Sequence, residues 1–160
     1  MKNICQNVIL IMLLFFTTIS CKESYKCRKM PEQTMVMGEI MQNAMIVDLG
    51  YRTKPKEGQI ITSDSLNIFD LVVSFDNGET KNPIDFSKYT VLGKFADGGC
   101  RAIVALQDVT KYTELKKYIY RIKVISCGKC TSYWQEMNWV LIPKIEDDFS
   151  VEFVVENEQR

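Results

Sequence analysis

Lys117–Ser126 reads KYIYRIKVIS. Its β-branched and aromatic residues alternate with period two, which puts Tyr118, Tyr120, Ile122 and Val124 on one face of an extended strand. The same rhythm recurs outward from it in LNIFDLVVSF (66–75), KYTVLGKFA (88–96), CRAIVALQDV (100–109), MNWVLIPKI (137–145) and FSVEFVVEN (149–157). Asp76-Asn77-Gly78 follows the first of these and Asp97-Gly98-Gly99 the second. Both are reversal signals, because asparagine and glycine tolerate positive φ. Matching apolar with apolar residues makes 100–109 and 117–126 a hairpin, with Ala102 opposite Val124, Val104 opposite Ile122 and Leu106 opposite Tyr120. One segment departs from the pattern. In MGEIMQNAMIVDLG (37–50), Ile40, Met41, Ala44 and Met45 recur at helical spacing before Gly50, a C-terminal stop signal. The expected fold is mainly β, an antiparallel sandwich or small barrel of about six strands with one short N-terminal helix.

Composition narrows the chemistry. The 160 residues are 46% hydrophobic and 25% charged, which suits a single globular domain. Lysine plus arginine and aspartate plus glutamate stand at 20 each. Without a net basic field, nucleic acid is not an expected partner. The chain has no histidine. Serine-histidine and cysteine-histidine catalysis and histidine-ligated zinc are therefore excluded.

The N-terminal segment reads as an export signal. Lys2 precedes Val8–Phe16 (VILIMLLFF), nine unbroken apolar residues. That run is too short to cross a bilayer as a helix and has the length of a signal-peptide h-region. Behind it Thr18-Ile19-Ser20-Cys21 resembles the lipobox of bacterial lipoproteins, departing at Thr18, where leucine is usual. The resemblance implies cleavage before Cys21 and its acylation, hence residues 1–20 as signal, 21–32 as a lipidated tether and 33–160 as the β domain. An ordinary secretory signal is the alternative. Lys22 stands where an aspartate would retain such a protein in the inner membrane, so the resemblance points to the outer membrane of the cell envelope. Lys22, Lys26, Arg28 and Lys29 would be attracted to anionic head groups, or form a solvated tether. The expected partners are membrane lipid, through Cys21, and an envelope protein.

Cysteine parity agrees with this division. Of six cysteines, Cys5 leaves with the signal, and acylating Cys21 leaves Cys27, Cys100, Cys127 and Cys130. An oxidising compartment favours two disulfides among them. In the expected register Cys100 shares a side with Cys130 while Cys127 points away. That favours Cys100 with Cys130 and Cys27 with Cys127. The Cys127-x-x-Cys130 pair has two competing readings, a thiol-redox site or a metal-handling site. It follows a strand rather than opening a helix, however, and no second C-x-x-C completes a zinc site.

Other residues carry weaker signals. Met35, Met37, Met41 and Met45 are soft thioethers that could hold copper(I), or unbranched core filler. Ser126-x-x-Lys129 matches a serine-lysine motif but lies on a strand end. Glu146, Asp147 and Asp148 read as a solvated bend. Tyr133, Trp134 and Trp139 follow the C-x-x-C turn and are either core residues or a binding face. The run NPIDFSKYTVLGKFADGGC (82–100) with the later WVLIPKI (139–145) resembles small bacterial lipoproteins and, distantly through Asp85-Phe86-Ser87 and Gly98-Gly99, the all-β domain of protease-regulating lipoproteins, with Cys100 in place of their tyrosine. That resemblance implies a non-enzymatic binding or inhibitory role. The expected function is a non-catalytic binding or envelope-structural lipoprotein, without cofactor or metal.

Overall fold

The computed structural model describes residues 27, 30–50, 57–128 and 132–160. The expected signal, Cys21 and Cys130 lie outside the described residues. The strands are β1 (Met35–Gly38), β2 (Met45–Asp48), β3 (Gln59–Ile61), β4 (Leu71–Ser74), β5 (Tyr89–Gly98), β6 (Ile103–Tyr112), β7 (Lys117–Ser126), β8 (Trp134–Pro143) and β9 (Ser150–Gln159). The protein is mainly β, with nine strands among the described residues in place of about six and no closed barrel among them. The strands form three sheets, ordered β1-β6-β7-β9, β3-β5-β8 and β2-β4.

The sheets are not wholly antiparallel. β1 runs parallel to β6, and β9 runs parallel to β7. Between β7 and β9 the chain leaves the first sheet to form β8 in the second. β9 therefore re-enters in the direction of β7.

Two cores flank the sheet of β3, β5 and β8. Leu92 and Ala96 of β5 and Val140 and Ile142 of β8 join Val109, Tyr118, Tyr120, Ile122 and Val124 of the first sheet. The alternate residues Val91 and Leu141 face the other way, into a second cluster with Ile61, Phe69, Leu71, Val73, Ile84 and Phe86. Burial on both faces explains why Val140-Leu141-Ile142 shows no apolar-polar alternation. Burying each such side chain is worth roughly 1.5–3 kcal/mol.

The expected helix is absent. Residues 39–43 are turns and irregular chain between β1 and β2. Ile40 is buried in the first core, while Met41 and Ala44 pack against the second. The apolar residues spaced as on a helix are thus divided between two cores by a chain crossing from one to the other. Gly38, at φ 71°, starts the crossing where a side chain would strike the Val109 carbonyl. Met41 N–H then donates to the Leu141 carbonyl at 2.9 Å.

The expected β6–β7 register also differs. Val104 lies opposite Val124, but the register shifts before Leu106, which faces Lys123. Val109 takes the expected place of Leu106 opposite Tyr120. The β-bulge exchanges the two faces of β6, turning Gln107 and Val109 inward and leaving Asp108 to the outer face. There Asp108 meets Arg121 at 3.4 Å. Pairing apolar residues by sequence alone ignored this charge.

The 66–75 strand is shorter than expected, beginning only at Leu71 after the 3-10 turn Asp64–Leu66 and Asp70 at φ 53°. The reversal after it is present, with Asn77 at φ 57° and Gly78 at φ 93°. It returns the chain to a single bridge, Val73 with Asn82, rather than directly into β5.

A polar groove beside a disulfide cluster

One end of the molecule gathers the ends of β5, β7 and β9 and the starts of β6 and β8. Trp134 lies opposite Gly98, Ile103 opposite Ile125, and Ser126 opposite Gln159. Cys27 is bonded to Cys127 there, with 5.5 Å between their Cα atoms. Cys100 is also disulfide-bonded, and its expected partner Cys130 lies outside the described residues. The two cysteine positions adjoin, since Cys127 N–H donates to the Cys100 carbonyl at 2.8 Å. Cys127 is fully buried and Cys100 nearly so.

A groove of about 360 Å³ lies between the first two sheets, running along β6 and β8 from Trp134 to Asn138. One wall comes from β8. Its even-numbered face is apolar at Ile142 and Val140, then turns polar at Asn138 and Glu136 before Trp134. The other wall is Ala102, just before β6, with Ile103, Val104 and Gln107 of β6, and residues 31–34 close the side. Thr34 Oγ1 donates to the Val104 carbonyl at 2.7 Å, fastening that side to β6.

The floor is a connected set of polar groups. Gln107 Nε2 donates to Tyr120 Oη and to Asn138 Oδ1, both at 3.3 Å. Tyr120 Oη donates to the Asn138 carbonyl at 3.2 Å, and Asn138 Nδ2 donates to the Glu136 carbonyl at 3.1 Å. Burial pushes the Tyr120 hydroxyl far above the ordinary tyrosine range, so it remains a donor. A fixed amide-hydroxyl network beside an indole and two carboxylates, Glu32 and Glu136, is equipped to hold a polar ligand by hydrogen bonds. Among the described residues no group of three or more cysteine and carboxylate side chains is placed to hold a metal.

The three expected aromatics do not share a surface. Trp134 lines the groove and packs on the first core. Trp139 packs on the second, with its ring centroid 5.1 Å from that of Phe69. Tyr133 is 61% exposed, and its hydroxyl donates to Asp97, which raises the tyrosine pKa. The methionines are likewise dispersed, with Met35, Met37 and Met45 exposed and Met41 packed on the second core. Ser126 Oγ accepts from Gly99 N–H at 3.0 Å, and Lys129 lies outside the described residues. In the 146–148 bend, Glu146 pairs with Lys111 at 2.6 Å and Asp148 with Lys116 at 2.5 Å.

Sequence reading missed Gln107, Asn138 and Glu136. The polar switch along the even face of β8 was a usable signal for the last two. Gln107 had none, because the bulge sets its direction.

Comparison with known protein families, curated proteins and solved structures finds no match to the chain. Phe86 of the Asp85-Phe86-Ser87 segment is buried in the second core, and Asp85 Oδ1 accepts from Ser87 N–H at 3.1 Å.

Proposed function

We propose that this protein is an exported lipoprotein, held on the envelope membrane by acylated Cys21, whose β domain has a non-catalytic binding role centred on the Trp134 groove. The observation carrying this reading is the cysteine pattern. Cys27, Cys127 and Cys100 are all taken up in disulfides, which persist in oxidising compartments. With the expected pairing of Cys100 to Cys130, Cys21 remains as the odd cysteine behind the apolar export segment. A thiol-redox site at Cys127 and Cys130 would need those two to pair with each other, whereas Cys127 is bonded to Cys27 and fully buried. The groove supplies amides, a hydroxyl and an indole for recognition. The Asp85-Phe86-Ser87 resemblance adds inhibition as one form such binding would take. Lys22 favours the outer membrane.

Intact mass and thiol counting on the unreduced mature protein test the reading together. The expected result is a chain starting at acylated Cys21 with no alkylatable thiol, and a Cys21→Ser variant that leaves the membrane fraction. Two exchangeable thiols, or metal retained through purification, would establish the redox or metal-handling alternative instead.

A further inference from the structure

We infer that the end of the domain carrying the Cys27–Cys127 bond is a docking face for the lipid surface, with the long strands standing away from it. This rests on the proposed acylation of Cys21. Only residues 22–26 separate Cys21 from Cys27, a reach of roughly 20 Å even when fully extended. Cys27 is fixed next to the end of β7, whose ten residues extend about 33 Å to the opposite end of the sheet. The tether is shorter than the strands. The molecule therefore cannot turn over to rest on its β6–β7 hairpin, where Leu115 is 68% exposed.

The ion pairs of β9 oppose a posture resting on that edge of the first sheet. One edge strand of the first sheet is β9, which presents Glu152, Glu156 and Glu158 in ion pairs with β7. Pressing this edge on lipid would dehydrate the pairs. At the disulfide end, the turn Gly98–Ala102 has Arg101 as its one charged residue, exposed at φ 49°. Beside it, the exposed ring of Tyr133 is of the kind that settles at the head-group level, with its hydroxyl bonded to Asp97. A cation and an amphipathic aromatic thus sit where the tether holds the domain closest to the lipid.

The test uses the acylated, isotope-labelled mature protein on nanodiscs of anionic lipid carrying a gadolinium-chelating head group, read by amide line broadening. Broadening is expected to be strongest at Gly98–Ala102, Tyr133 and Arg160 and at least severalfold weaker at Leu115 and over Ser150–Val154, the half of β9 remote from the disulfide end. In an Arg101→Glu, Tyr133→Ser variant the protein should stay on the discs with broadening at Gly98–Ala102 reduced at least twofold. Equal or stronger broadening at Leu115 or over Ser150–Val154, or no change in the variant, would overturn the docking face while leaving the anchor intact. Failure of the wild-type protein to stay on the discs would instead overturn the anchor, and the docking face with it.

Discussion

Gly93 and Trp139 show how much one residue decides. They lie opposite each other on β5 and β8, and the indole lies over the glycine, where a Cβ would overlap its six-membered ring. The ring cannot swing aside freely, because Phe69 packs against it at a 5.1 Å centroid separation. Gly93→Ala should therefore destabilise the domain by about 1–3 kcal/mol through overpacking. The check is urea unfolding followed by tryptophan emission, with a red shift in the folded variant marking Trp139 displaced toward solvent. A glycine inside KYTVLGKFA is legible as a break in the strand pattern. Which aromatic fills the gap is not, because cross-strand partners forty-six residues apart meet only through register.

At the scale of elements, the turn after β4 is built as its Asp-Asn-Gly sequence directs, and it is also acid-sensitive. Asp76 Oδ1 accepts from Ser74 Oγ at 2.6 Å and from Thr80 N–H at 2.8 Å. These bonds, that of Ser74 foremost, lower the Asp76 pKa from 3.8 to about 2. A depressed carboxyl contributes stability above its unfolded pKa and loses it as pH falls through the folded value. The contribution of this turn should thus be complete above about pH 4 and fade toward pH 2. Asp76→Asn is expected to lower the urea midpoint at pH 6 more than at pH 2; an equal loss at both pH values would show that the carboxylate charge contributes nothing. The same scale shows where periodicity misleads. Residues 40–45 have helical spacing without a helix, because two cores on either side of the chain select the same apolar positions. In β6 one bulge inverts the facing of every residue after it, so Gln107 reaches the groove and Leu106 does not.

For the whole molecule, the Cys27–Cys127 bond spans 100 residues and ties the start of the described chain to the end of β7. On the chain-entropy account, a loop of that length contributes about 4 to 5 kcal/mol by restricting the unfolded chain. Cys27→Ser should lower the unfolding free energy by an amount of that order, measured by urea denaturation without reductant. A loss under about 1 kcal/mol would mean that the bond closes little of the unfolded chain's freedom. The loss should exceed that of any single surface substitution, which is usually within about 0.5 kcal/mol.

The sequence by itself determined the strand-forming segments from Tyr89 onward, the mainly β class and the turn chemistry, since each depends on alternation and backbone preference within a few residues. Only the tertiary structure decided the parallel partners of β6 and β7, the bulge, the two cores and the groove. Those depend on how segments far apart in the chain divide a shared interior, and local patterns do not encode that division.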